Sequence, residues 1–191
     1  MSTNLMVGTD RDNQLREVPV DFVTGALQSI TVEHANIHDG TSYNTFTKFN
    51  LGAGATRKIT LLTDAVRFIH YRPFKISTSA DKVTANLYEG SSGNTGGTPL
   101  AIQNRNRIST KLSVLTIVDG VTVTTNGTII DQEYVGGGTG VGNTSAGSGA
   151  SSEEEIVLKK STLYTVEIIN GSASAQDIQV KLRWYEEGMG V

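Results

Sequence analysis

Residues 163–185, LYTVEIINGSASAQDIQVKLRWY, decide the fold of this chain. Two runs in which apolar and polar residues alternate flank a small polar loop at 170–175. The apolar positions of the two runs are Tyr164, Val166 and Ile168, and then Ile178, Val180, Leu182 and Trp184. Residues two apart on a β-strand point to the same side, so each run presents one apolar face. We therefore predict two antiparallel strands joined as a hairpin, with these apolar side chains in the core.

The composition favours a β-rich fold and argues against several classes of function. The 191 residues include 21 glycines and many Thr, Ser and Asn, which is typical of short strands joined by loops. The absence of cysteine excludes disulfides, and a net charge of −3 argues against a general nucleic-acid binder. No apolar run approaches the roughly 20 residues of a membrane span. The N-terminus lacks the basic and apolar regions of a signal peptide, so we expect the chain to stay where it is made until lysis.

Further short strands are predicted along the chain at 45–51, 57–63, 66–71 and 83–88. Asp119-Gly120 and Asn126-Gly127 separate β-branched runs and predict a three-stranded meander between 112 and 130. At 156–159 we predict a strand, because no helical stripe continues beyond it. The alternative is a short helix capped by Ser151 and Glu154.

The domain organisation predicted from these patterns is an N-terminal arm at 1–30 and an antiparallel, jelly-roll-like β-sandwich at 31–191, with a flexible Gly/Ser-rich loop at 136–152. The arm holds too little apolar surface to fold alone, yet Val18, Val20, Phe22 and Val23 are costly to leave in water. Our hypothesis is that this segment docks on another subunit or a partner by strand addition. The alternative is an ordinary first strand of the same domain.

No motif for catalysis or for cofactor binding is present. The glycine loop after Gly136 lacks both the third glycine of a dinucleotide motif and the Lys-Ser/Thr of a phosphate-binding loop. His34 and His38 are four residues apart but lack the order of a zinc-protease motif, which favours packing or hydrogen bonding over metal binding. We predict a protein that is not an enzyme, with no catalytic residue, cofactor or metal.

The segment Asn104-Arg105-Asn106-Arg107 is compact and basic. The guanidinium groups of Arg105 and Arg107 are candidates for binding carboxylates of a partner subunit. The alternative is a solvated strand edge on which the arginines oppose unwanted strand pairing.

Several short segments occur together in a characteristic order and spacing. They are TGAL at 24–27, EHANIHDG at 33–40, LYEG at 87–90, GTPL at 97–100, NRNR at 104–107, LYTV at 163–166, IN at 169–170 and LRWYE at 182–186. Together they resemble a family of small tailed-bacteriophage virion structural proteins, of the capsid decoration (cement) type. One departure is Ala35, which stands where a second histidine often follows the first.

The resemblance implies a non-enzymatic virion component, assembled in the host cytoplasm and located on the capsid surface. It implies a β-sandwich that forms a homo-oligomer, preferably a trimer, and that binds the major capsid protein, with no nucleic-acid or membrane partner. The alternative function is a fibre or receptor-binding module that holds a host-surface glycan. Tyr43, Tyr88 and Tyr134 lie near predicted loops and are the candidates for stacking on sugars.

Overall fold

The computed structural model describes residues 6–9, 15–18, 32–79, 82–135 and 155–187. The chain divides into two units, Met1–Ala35 and Asn36–Val191. In the first unit, β1 (Met6–Thr9) and β2 (Leu15–Val18) pair as a two-stranded antiparallel sheet. The predicted loop at 136–152 and the arm residues Val20, Phe22 and Val23 lie outside the described residues.

The other elements are one short helix and a series of strands. They are α1 (Val32–His38), β3 (Ser42–Leu51), β4 (Thr56–Leu62), β5 (Phe68–Thr78), β6 (Val83–Glu89), β7 (Thr98–Pro99), β8 (Gln103–Asn104), β9 (Thr116–Asp119), β10 (Thr128–Val135), β11 (Ile156–Leu158), β12 (Leu163–Asn170) and β13 (Gln176–Glu187). The strand β11 confirms the strand interpretation at 156–159 over the short helix. In the described part of the chain, no helix is long and apolar enough to cross a membrane.

The second unit is an antiparallel β-sandwich, as predicted. Its six-stranded sheet has the order β10-β6-β12-β4-β9-β7, and its five-stranded sheet has the order β11-β5-β13-β3-β8. From β3 to β6, and again from β11 to β13, successive strands alternate between the two sheets. The two sets of four strands, β10-β6-β12-β4 and β11-β5-β13-β3, therefore have the wiring of an eight-stranded jelly roll, with β7, β8 and β9 added at one side.

The core lies between the two sheets and contains the apolar residues of both alternating runs. Tyr164, Val166 and Ile168 of β12 belong to one buried cluster with Val180, Leu182 and Trp184 of β13. The indole ring of Trp184 stacks on Tyr43 of β3, with 6.0 Å between ring centroids. The prediction of which residues face the core is confirmed.

The predicted hairpin between the two alternating runs is wrong. The strand β12 pairs with β4 and β6 in the six-stranded sheet, whereas β13 pairs with β3 and β5 in the five-stranded sheet. Asn170 holds the crossover between them, because its buried side-chain amide donates to the carbonyl oxygens of Leu51 at 2.9 Å and Ser174 at 2.8 Å. The alternation of apolar and polar residues identifies which face of a strand is buried, but not which strand is its neighbour. Two strands that pack face to face in opposite sheets show the same alternation as two strands paired in a hairpin.

The predicted meander between 112 and 130 is also wrong. The strand β9 pairs with β4 and β7, while β10 pairs with β6 at the opposite edge of the sheet. Both glycines have positive φ, +73° at Gly120 and +88° at Gly127, but neither joins two neighbouring strands as a hairpin. The amides of Gly120 and Val121 donate to the carbonyl oxygen of Lys58 on β4, at 2.9 and 3.3 Å, instead of turning the chain back onto β9.

Candidate functional site

The segment that follows β8, residues 105–113, forms a loop with a defined shape, which we call the interaction loop. Two asparagines bend its first half. The amide of Asn106 donates to Oδ1 of Asn104 at 2.9 Å, and the amide of Ile108 donates to Oδ1 of Asn106 at 3.2 Å. These bonds are Asx-turns, in which an asparagine side chain accepts from the backbone two residues further on. The local sequence therefore bends the first half of the loop.

The same asparagine side chains tie the interaction loop to the turn that follows α1. The amide group of Asn104 donates to the carbonyl oxygen of Gly40 at 2.9 Å, and that of Asn106 donates to the carbonyl oxygen of His38 at 2.9 Å. Gly40 has a φ of +67°, and a Cβ atom at this position would collide with Ser109 of the loop. The close approach of loop and turn therefore requires glycine at position 40.

A buried carboxylate holds the far end of the interaction loop. Glu186 of β13 is 1% exposed and accepts hydrogen bonds from Ser113 Oγ at 2.5 Å and from the amide of Val114 at 3.1 Å. It also accepts from Trp184 Nε1 at 3.2 Å and pairs with Arg67 Nη1 at 2.8 Å. The hydrogen bond to Glu186 raises the pKa of the Arg67 guanidinium above its usual value. The loop is thus fixed to the sandwich at both ends.

The interaction loop nevertheless presents two apolar side chains to solvent. Ile108 is 93% exposed and Leu112 is 82% exposed, more than any other large apolar side chain that the structure describes. Single exposed apolar residues are ordinary. Two of them on a loop that is already held in one conformation are typical of a contact surface, because such a loop loses little conformational entropy on binding.

A shallow cleft of about 440 Å³ lies beside these residues. Most of the residues that line it are polar by type: Tyr43, Ile102, Gln103, Asn104, Asn106, Arg107, Ser109, Thr110, Lys111, Leu112 and Ser113. The Nζ of Lys111 donates to the carbonyl oxygen of Asp39 at 2.8 Å. The loop therefore combines a cationic, polar cleft with two apolar side chains, the mixture found at protein–protein contacts.

The structure separates the two arginines that the sequence singles out. Arg105 is half-buried, and its Nη1 donates to Ser42 Oγ at 3.3 Å, so it helps to fix the loop to β3. Arg107 is exposed on the loop, with one long hydrogen bond of 3.5 Å to the carbonyl oxygen of Asn104. Arg107 is the better placed of the two to bind an external carboxylate. Of the predicted arm contacts, Val18 lies in β2, opposite Met6.

The remaining candidates occupy different places. His34 and His38 both lie on α1, and no group of three metal-ligating side chains occurs among the described residues. Tyr43 is buried in the core, and the hydroxyl of Tyr88 donates to Glu167 at 2.9 Å, whereas Tyr134 is exposed on β10. Burial of Tyr43 removes it from the set of aromatic residues that a sugar could contact.

Sequence reasoning missed the two residues that stand out most in this site. The meander predicted between 112 and 130 places Leu112 at the start of a strand, and no sequence pattern distinguishes Ile108. The useful signal was the pair of asparagines at 104 and 106, since alternating Asn residues favour turns and place the apolar residues that follow them in a loop.

The chain matches no protein-family model, and no curated protein is similar enough in sequence to be identified as a relative.

Proposed function

We propose that this chain is a capsid decoration protein of a tailed bacteriophage, a non-enzymatic component that binds the outer surface of the head and stabilises the shell. The observation that carries the proposal is the interaction loop, in which Ile108 and Leu112 are exposed while both ends of the loop are fixed. A protein that clamps a preformed surface benefits from such a loop, because little flexibility is lost on binding.

Two further observations support the proposal. The jelly roll is an architecture of viral capsid domains, but lectins and cupins use it too. The fold therefore supports the proposal only by analogy, and the interaction loop is the stronger support. The order of short sequence segments resembles that of phage decoration proteins across most of the chain. Of the three tyrosines that are candidates for stacking on a glycan, Tyr43 is buried and Tyr88 is bonded to Glu167, so Tyr134 alone is exposed and the three form no exposed aromatic cluster.

The proposal is tested by adding the purified protein to phage heads that lack it and measuring how much pellets with the heads. We expect saturable binding with a fixed copy number per major capsid subunit. The double variant Ile108→Ser/Leu112→Ser should weaken this binding about tenfold or more, because it removes the apolar anchors of the contact.

The matched control is Leu62→Ser/Val66→Ser, which removes two exposed aliphatic side chains outside the interaction loop. Thermal melting first verifies that both double variants fold, and the control should then bind heads within about twofold of the wild type. Absence of binding by the wild type would refute the proposed function. Equal losses in the two double variants would refute the role of the loop.

Self-association is the second expectation, and the edge strand β10 supports it. Among the described strands, β10 is paired on one side only, by β6, and it exposes Ile129, Ile130 and Tyr134. Burying such an edge between copies removes both unpaired backbone groups and apolar surface from water.

The edge of β10 favours self-association, and the resemblance to phage decoration proteins favours a trimer. We expect a homotrimer at micromolar concentration, with a light-scattering mass three times that of one chain. Addition of a chelator should leave this mass unchanged, because no metal is needed for assembly. A monomer under these conditions would refute the first part of the prediction, and dissociation by the chelator would refute the second.

A further inference from the structure

The outer face of the five-stranded sheet carries a group of cationic side chains. Ile178, Val180, Leu182 and Trp184 of β13 face the core, so the alternate positions face away from it. We call this surface the basic face. Its cationic residues are Lys48 on β3, Arg72 and Lys75 on β5, and Lys181 and Arg183 on β13.

Like charges stand directly opposite one another on this face. Lys181 pairs in register with Lys75, and Arg183 pairs with Arg72. Side chains in such cross-strand positions lie only about 5 Å apart at Cβ, where like charges destabilise the sheet. Lys75 and Lys181 are both exposed, and neither has a carboxylate within 4.0 Å among the described residues.

One neighbouring feature indicates that the basic face receives a ligand. Phe46 of β3, in register with Lys181 on its other side, is 52% exposed and adds an apolar contact beside the cations. A carboxylate bound between the exposed side chains of Lys75 and Lys181 would relieve the repulsion between them.

Carboxylates limit the basic face at both ends. At one end, Asp177 pairs with Lys48 at 3.1 Å. At the other, His70 lies between Glu155, at 2.7 Å, and Glu187, at 3.3 Å. A long polyanion such as nucleic acid would run into these carboxylates, whereas a compact acidic patch fits between them.

A second copy of this chain does not offer such a patch in its described part. Of the carboxylates whose exposure the structure describes, Asp39 is exposed and the others are buried or half-buried. The side chains of Asp177 and Glu187, 46% and 44% exposed, are already paired with Lys48 and His70. We propose that the basic face binds a carboxylate-rich surface of a different protein, with Phe46 as the apolar anchor. This inference does not depend on the proposed role in a phage head.

The probe is a fluorescein-labelled oligoglutamate peptide, titrated with the full chain at low salt and followed by fluorescence anisotropy. We expect saturable binding that weakens as salt is added. The double variant Lys75→Gln/Lys181→Gln should weaken binding about tenfold, while Lys75→Arg/Lys181→Arg should retain it. The matched control is Lys159→Gln/Lys160→Gln, which removes the same charge elsewhere and should stay within about twofold.

An oligothymidylate of equal charge distinguishes a protein partner from a nucleic acid. Tighter binding of the oligothymidylate than of the oligoglutamate would overturn the proposal. So would absence of peptide binding by the wild type, or equal losses in the two glutamine variants, which would reflect net charge alone.

A second measurement needs no ligand. Lys75→Glu places an opposite charge beside Lys181 and should raise the melting temperature of the free protein by roughly 1–4 °C. A melting temperature that is unchanged or lower would show that the cations do not repel each other, and the inference would fail.

Discussion

Trp184→Ala is expected to lower the free energy of unfolding by about 3–5 kcal/mol, the usual cost of removing a large buried aromatic side chain. The indole ring is 1% exposed, stacks on Tyr43 and lies in the cluster that joins the two sheets. Its removal leaves a cavity at the centre of the sandwich and also takes away one hydrogen bond to Glu186. Chemical denaturation with a common slope for wild type and variant gives the difference directly.

Phe46→Ala is the matched control for this variant. Phe46 lies on β3, the strand next to β13, but it is 52% exposed on the outer face of the sheet. Its truncation should cost less than about 1 kcal/mol, because little buried surface is lost. A loss of similar size in both variants would contradict the assignment of Trp184 to the core.

Glu186→Ala is expected to be comparably damaging, with a loss of about 3–5 kcal/mol. The carboxylate is almost fully buried and satisfies Arg67, the indole of Trp184 and the amide of Val114. Alanine leaves the buried donors of Trp184 and Val114 without an acceptor, and it also removes the ion-pair partner of Arg67, whose side chain is 35% exposed. Denaturation measures the loss, and hydrogen exchange at Val114 reports release of the interaction loop.

The neighbouring Glu187 provides the control. Its side chain is 44% exposed and pairs with His70 at 3.3 Å, so Glu187→Ala should cost less than about 1 kcal/mol. If Glu186→Ala were as mild as Glu187→Ala, the buried network would have no stabilising role. Because Trp184 and Glu186 share a hydrogen bond, the effects of the two damaging variants should not be additive.

The alternating runs predict the core correctly and the strand pairing incorrectly, and both outcomes have one physical cause. A period of two records that one face of a strand is buried, as it is for Val166 and Val180. The alternation contains no information on which neighbouring strands form backbone hydrogen bonds with β12 and β13. The partners of β12 and β13 come from residues 42–89, far away in sequence, and no local pattern specifies such pairings.

The candidate site was predictable in part. The basic segment 104–107 does lead from β8 into the interaction loop, and its asparagines are recognisable turn residues. The shape of the loop, however, depends on Glu186, which lies 72 residues after Val114. In the sequence alone, Glu186 is one charged residue at the end of a predicted strand, and nothing indicates its contact with the loop. The basic face was equally hidden, because Lys75 and Lys181 become neighbours only when β5 pairs with β13.

The wiring of the jelly roll also determines when this protein can fold. The strand β12 lies between β4 and β6, and β13 lies between β5 and β3, so the centre of each sheet is occupied by one of the two strands made last among those described. On the ribosome, β3 to β6 are made before β12 and β13 and have no central partner until residues 163–187 emerge. Folding of the sandwich therefore cannot be completed until these residues are available. The yield of folded protein therefore depends on whether β3 to β6 remain soluble until β12 and β13 are available to pair with them.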